Sequence, residues 1–309
     1  MFLKLMLAGL MLIASPPAPQ DQLIIEDHGK TIAQVSRSEF TAPGLPVIDR
    51  QKLDQFIAKL SDKTVRSPVN ATLGPNHQIV AERAGYTLDR ENFIDQFQHF
   101  FYSKQSARVI VPLQKVYPEV DSELLSEIRT QRIGTYMTYF NPGNKARTHN
   151  IELAVRSINN QVVFPGRIFS FNRTLGQRTR QKGYQTARII VKGEYSEGIG
   201  GGICQVSSTL FNAADRAGLH IVERYAHSKR VAYVPPGRDA TVSWMGPDFR
   251  FRNSYGLPVL IRASSSGGRV IFSFYSSSVI RANPRTVPAP AHETGCKPAE
   301  DRKNRAEDR

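Results

Sequence analysis

Gly198-Ile199-Gly200-Gly201-Gly202-Ile203-Cys204-Gln205-Val206-Ser207-Ser208-Thr209-Leu210 is the stretch from which the rest of the chain can be read. Four glycines run into a periodic segment in which Val206, Leu210, Ala213, Ala214 and Ala217 share one face, and Gly218 closes it. This pattern predicts a helix with Cys204 in its first turn. Backbone N–H groups at a helix start lack intrahelical partners and carry partial positive charge, so they stabilise a thiolate. A cysteine placed there can ionise well below the free value of about 8.5. The glycines let a substrate backbone approach closely, and the N–H of Cys204 is a candidate oxyanion donor. Gly201, Gly202, Gln205 and Ser207 are the candidate substrate contacts around the cysteine, with Arg224 further along the chain.

A nucleophilic cysteine needs a base and a group that orients the base. His227 follows a predicted strand Ile221–Tyr225, and Asp239 follows the turn Pro235-Pro236-Gly237, ahead of a predicted strand Ala240–Trp244. Cysteine on a helix, then histidine and an acid on successive strands, is the order of papain-like and transglutaminase-like sites. Cys204, His227 and Asp239 are therefore the candidate catalytic residues. Glu223, Asp248 and Asn253 compete for the third position. The competing reading makes Cys204 a small buried hydrophobe, the glycines packing residues and His227 a structural hydrogen-bonder. No Gly-Lys-Ser/Thr follows the glycines, so a phosphate-binding loop is excluded, and the strand and acidic residue of a dinucleotide fold are missing.

Lys plus Arg number 41 against 27 Asp plus Glu, a net charge of +14. That favours an anionic partner: nucleic acid, acidic lipid or an anionic wall polymer. Hydrophobic residues make up 40% and charged residues 22% of the 309, which excludes overall disorder and a coiled coil. Only Cys204 and Cys296 are cysteines, so no disulfide framework or zinc cluster is read, and no cofactor or metal is implied. Lys4 followed by the uncharged run Leu5–Ala14 reads as a signal peptide over residues 1–18, too short to span a bilayer comfortably. The expected location is extracytoplasmic: secreted, or associated with the wall or membrane. Contact with the membrane is expected only through an uncleaved signal segment. That location also sets nucleic acid aside as a partner, since no nucleic-acid motif accompanies the charge.

Between the ends the predicted class is α+β. Residues 19–44 form a lead-in. Residues 45–118 form a small module of two amphipathic helices with short strands. Asp49 caps the stripe Leu53, Phe56, Ile57 and Leu60, and Asp89 caps the stripe Phe93, Ile94, Phe97, Phe100 and Phe101. The helical spacing of these aromatics makes them core and not a sugar platform. A connecting helix spans 119–133. The second domain, 134–280, sets the Cys204 helix on an antiparallel sheet. Its basic run Arg173, Arg178, Arg180, Lys182, Arg188 and Lys192 reads as a solvated face. Residues 281–309, with four prolines and dense charge, are expected to be a disordered tail carrying Cys296.

From about Gly134 to Tyr275 the sequence resembles the VanW family. The resemblance is carried by Pro165-Gly166 with Phe169-Ser170-Phe171-Asn172, by Gly176 and Gly183-Tyr184, and by Gly200-Gly201-Gly202-Ile203-Cys204-Gln205-Val206-Ser207. Glu223-Arg224 with His227-Ser228, Tyr233-Val234-Pro235 with Gly237, and Asp239-Ala240-Thr241-Val242 continue it, with Asp248, Phe251 and Asn253. Ahead of it, Pro68-Val69-Asn70-Ala71 and Gly85-Tyr86-Thr87-Leu88-Asp89 resemble the peptidoglycan-binding module that often precedes VanW domains in secreted or tethered bacterial proteins. The family takes its name from an accessory gene of vancomycin-resistance clusters. The resemblance thus implies a cell-envelope setting and association with peptidoglycan, its stem peptides or other anionic wall polymers, and it implies no particular reaction. Two readings follow. One is a cysteine-dependent amidase, peptidase or acyltransferase. The other is a non-catalytic peptidoglycan-binding accessory protein.

Overall fold

The computed structural model describes residues 21–191 and 194–290; the expected signal segment and Cys296 lie outside them. In chain order the strands are β1 (Gln22–Asp27), β2 (Lys30–Ser36), β3 (Thr72–Leu73), β4 (Ile79–Val80), β5 (Gly85–Leu88), β6 (Ala107–Ile110), β7 (Leu113–Val116) and β8 (Gln131–Tyr139). They continue as β9 (Val162–Val163), β10 (Ile168–Ser170), β11 (Thr186–Val191), β12 (Glu194–Ile199), β13 (His220–Glu223), β14 (Arg250–Arg252), β15 (Val259–Ser266) and β16 (Arg269–Ser276). The α-helices are α1 (Arg50–Thr64), α2 (Arg90–Ser103), α3 (Ser122–Ile128), α4 (Lys145–Ile158), α5 (Phe171–Leu175) and α6 (Ile203–Arg216). The class is α+β. None of the described helices is long and apolar enough to cross a membrane.

The described residues form two compact units. One runs to Asn70 and resumes over Glu82–Glu119; the other holds Ala71–Ala81 and everything from Val120 onward. In the first unit, Asp49 accepts a hydrogen bond from the Lys52 amide and Asp89 from the Asn92 amide, capping α1 and α2. Leu53, Ile57 and Leu60 of α1 and Phe93, Phe97, Phe100 and Phe101 of α2 are buried together. Phe40 and Phe97 meet edge to face at 5.0 Å, the favoured arrangement of two ring quadrupoles. The lead-in is part of this core. Leu23 and Ile25 of β1 are fully buried, and β1 pairs antiparallel with β2 and parallel with β6.

The second unit is built on the antiparallel sheet β8-β16-β15-β9. Side chains alternate across it. Ile261, Phe272 and Phe274 join the core formed with α4 and α6, whereas Leu260 joins Leu73, Leu125 and Ile128 from β3 and α3. The β3–β4 hairpin, assigned from the sequence to the first module, belongs to this unit. A second sheet, β10-β14-β13, and the hairpin β11–β12 complete it.

Residues 281–290 are not a free tail. Val287 is 4% exposed, the Arg285 amide donates to the Arg216 carbonyl (3.0 Å), and the Tyr136 hydroxyl donates to Pro288 O (3.0 Å). Proline-rich composition suggested disorder because it shows no periodicity, yet its backbone carbonyls remain acceptors: Pro288 O for Tyr136 of β8 and Val287 O for Arg216 of α6.

Candidate active site

β12 delivers the chain to Gly200-Gly201-Gly202, and α6 begins at Ile203. A Cβ on Gly201 would sit 2.6 Å from Arg188 O and 2.7 Å from the Ala187 carbonyl carbon, so the turn lies directly on the β11 backbone. Gly202 caps the helix at φ +104°, a conformation closed to ordinary side chains. The buried Asn150 amide pins the turn: Nδ2 donates to Gly201 O (3.1 Å) and Gln185 O (2.9 Å), while Oδ1 accepts from the Gln185 amide (2.8 Å). Cys204 therefore lies in the first turn of α6, half-buried, with Sγ 3.8 Å from Thr241 Oγ1 and 3.7 Å from Val242 O.

His227 meets this thiol, and Asp239 holds His227. Both the backbone N–H and Nδ1 of His227 lie 2.6 Å from Asp239 Oδ2, and both side chains are nearly buried. With Nδ1–H donating to the carboxylate, Nε2 is the atom left to interact with the Cys204 thiol. Burial pushes the Cys204 thiol up, but its hydrogen bond with His227 and the imidazolium charge hold it below the ordinary thiol value. Burial pushes His227 down, and Cys204 and Asp239 together hold it above the ordinary imidazole value. The Asp239 carboxyl is depressed because bonds from His227 outweigh its own burial. These directions favour a thiolate–imidazolium pair.

Neither His227 nor Asp239 is on a strand. The predicted strand Ala240–Trp244 is irregular, tied by a single bridge between Tyr225 and Thr241. A polar stripe of α6 replaces the missing ladder. Ser208 Oγ accepts the Ala240 amide (2.8 Å), and Ser207 Oγ donates to Ala240 O (2.6 Å). Asn212 Nδ2 donates to Arg238 O (2.7 Å), Asn212 Oδ1 accepts Arg238 Nε (2.7 Å), and Asp215 receives Arg238 Nη2 (2.7 Å). The helix that carries Cys204 thus also holds the segment that carries Asp239.

Four of the expected substrate contacts are scaffold. Gly201 is packed on β11. Gln205 is 1% exposed, its Nε2 donating to Tyr139 O (2.8 Å) and Thr138 Oγ1 (3.0 Å) and its Oε1 accepting from Arg147 (2.6 Å). Ser207 is buried and spent on Ala240. Arg224 donates to Asp239 O (2.7 Å) and Gly237 O (3.0 Å), bracing the acid's loop from behind. Gly202 and Arg224 remain partly exposed.

The competitors for the acid position are committed elsewhere. Asp248 accepts from Ser170 Oγ (2.6 Å) and the Asn172 amide (2.8 Å), Asn253 holds Val163 O and Leu257 O, and Glu223 faces Arg250.

Two further groups come to the site without having been singled out. Arg178, read as part of a solvated face, is half-buried against the Phe171 ring, with Nη2 on Asn172 Oδ1 (2.6 Å) and its β-carbon against Gly200. Burial lowers its pKa, and the Cys204 thiolate charge acts against that shift. Tyr233 hydrogen-bonds Ser208, and burial, with the nearby Cys204 charge, keeps its phenol neutral. Arg230, Val231, Ala232, Val234, Pro235 and Pro236, on either side of Tyr233 in the chain, line a concavity of about 550 Å³. Among the described residues no three His, Cys, Asp or Glu side chains group as a metal site.

The domain thus sets a cysteine thiol beside a histidine that an aspartate holds. Residues 146–275 match the family described as VanW like protein. The chain is 54% identical over 288 residues to "Uncharacterized protein YoaR" of Bacillus subtilis (strain 168), covering 93% of this chain and 95% of that one. It is 30% identical over 112 residues to "Vancomycin B-type resistance protein VanW" of Enterococcus faecalis (strain ATCC 700802 / V583), covering 35% of this chain and 41% of that protein. The chain belongs to the VanW-like family. The family match begins after the segment expected to bind peptidoglycan. No solved structure matches the chain.

Proposed function

We propose that this chain is a cell-envelope protein, linked by family to vancomycin resistance, in which Cys204 attacks an amide of the peptidoglycan stem peptides. The observation that carries the reading is the geometry of His227: one carboxylate oxygen holds both its backbone and ring N–H, which leaves Nε2 to serve the thiol. His227 Nε2 takes the thiol proton, and the thiolate attacks the amide carbonyl carbon. The oxyanion forms near the N-terminus of α6, where partial positive charge stabilises it. Collapse breaks the C–N bond, and the imidazolium proton leaves on the amine. The resulting thioester passes its acyl group to water or to an amine, giving hydrolysis or transfer. Arg178 supplies a cation beside the thiol for a substrate carboxylate.

The test is alkylation of Cys204 across pH, read by peptide mass, on the wild type, His227→Ala and Cys204→Ser, with muropeptides as the assay substrate. A membrane-impermeant reagent on intact cells reports the compartment at the same time. Expected results are labelling of Cys204 below the ordinary thiol range, slower labelling in His227→Ala, and loss of muropeptide turnover in Cys204→Ser. If Cys204 labels only after denaturation, and turnover is absent from the wild type, the accessory-binding reading replaces this one.

A further inference from the structure

The sheet β8-β16-β15-β9 carries a second concave site on the face turned away from α6. Leu260 and Arg262 are two residues apart on β15 and so share a face, and Tyr275 of β16 is paired with Leu260. Leu260 belongs to the cluster built with Leu73 and α3, whereas its neighbour Ile261 belongs to the core under α6. Leu73, Leu260 and Tyr275 form the apolar part of a concavity of about 230 Å³. Arg262, Arg129, Thr130 and His77 form its polar part, and no carboxylate lines it.

The two arginines are held in place. Arg262 Nη1 donates to Leu73 O (2.9 Å) and to the Asn160 side-chain oxygen, and Nη2 reaches Gly74 O at 3.4 Å. Asn160 is itself clamped, accepting from the Leu73 amide (3.2 Å) and donating to Leu73 O (3.1 Å). Arg129 Nη1 donates to His77 O (2.8 Å), which ties the end of α3 to the β3–β4 turn. A guanidinium has five N–H donors. Among the described residues these bonds leave donors of both arginines without a protein acceptor, and neither arginine makes an ion pair. A half-buried Arg262 and an exposed Arg129, each held by neutral oxygens, with donors to spare and no counter-charge, suit an incoming oxyanion.

We propose that this concavity binds a carboxylate or phosphate group, with the ligand's adjoining carbon atoms against Leu73, Leu260 and Tyr275. Its volume is below the roughly 300–1,000 Å³ of sites for drug-sized ligands, so it takes the end of a molecule. A peptide C-terminus and a polyol-phosphate chain both present such an end. The site lies on the opposite sheet face from Cys204, so it stands or falls independently of the thiol chemistry.

Calorimetric titration of the full chain in low-salt, phosphate-free buffer would use three probes: N-acetylalanine, glycerol 3-phosphate and inorganic phosphate. Saturable binding of at least one is expected, about tenfold weaker in Arg262→Gln and several-fold weaker in Arg129→Gln, as loss of a charge-assisted bond implies. Binding should persist in Cys204→Ser. Selective binding of N-acetylalanine assigns the peptide terminus, and of glycerol 3-phosphate the polymer; either supports the site. Arg129 is exposed, so Arg129→Gln decides the matter if Arg262→Gln does not fold. No saturable binding of any probe, or binding unchanged in Arg129→Gln, overturns the proposal.

Discussion

Asp239 Oδ2 accepts two hydrogen bonds from one residue, the amide and the ring of His227. A carboxylate used twice in this way both places the histidine backbone and chooses its tautomer. The pH consequence has a definite sign. The folded pKa of Asp239 is depressed, so its contribution to stability is complete above the unfolded value of about 3.9 and is lost as pH falls through the folded value. His227 is raised, so its contribution is complete below about 6.5 and is lost as pH rises through its folded value. Asp239→Asn should therefore cost about 1–3 kcal/mol near neutrality, flatten the acid limb of the stability profile and slow Cys204 alkylation. Denaturant melts from pH 3 to 8 would show it; an acid limb as steep as wild type would count against the pairing. At this scale the sequence was informative where chemistry restricts residue type. Thiol, imidazole and carboxylate follow in order, and the fold brings them together. It was uninformative for Gln205 and Ser207, because a buried hydrogen-bonding side chain and an exposed binding one are the same letters.

At the scale of elements, α6 has two working sides. Its apolar side carries Val206, Leu210, Ala213 and Ala214 into the core. Its polar side, Ser207, Ser208, Asn212 and Asp215, replaces a strand partner for the chain between Arg238 and Ala240. Ser208→Ala leaves the Ala240 amide without its acceptor inside the protein, an expected loss of about 1–3 kcal/mol. Since Ala240 follows Asp239, the variant should also slow alkylation of Cys204, which a purely structural loss would not do. Comparing alkylation under fully folded conditions with the denaturation midpoint separates the two effects. The α6 helix and its Cys204 turn were legible from glycine punctuation and apolar spacing. The strand expected at Ala240–Trp244 was not formed because β-propensity says nothing about whether a partner strand is available, and here side chains of a helix supply the bonds.

For the whole molecule, the partition into units could be read only in part. Caps and apolar stripes marked α1 and α2, but residues 19–44 read as a lead-in because their apolar patches are short and end at Pro43 and Gly44. Their burial says otherwise. A fragment 45–118 lacks Leu23, Ile25 and Val35 from its core, so it should be unfolded, whereas a fragment 21–119 should show a cooperative melt. Circular dichroism on the two fragments decides this; a folded 45–118 would show that β1 and β2 are accessory. Pairing between residues far apart in sequence is what local patterns do not report.

The parallel match of Leu23 with Ala107 has a temporal side. As the chain is synthesised, β1 has no β6 to join until about Ile110 has emerged. The β3–β4 hairpin, made earlier than β6, waits longer still, because Leu73 is covered by Leu260 and Arg262 reaches its carbonyl. Contacts that span so much chain close late. The first unit can therefore close once Glu119 is clear of the ribosome, while the β3–β4 hairpin inside it hangs open, a loop without its sheet, until most of the remaining residues have been added.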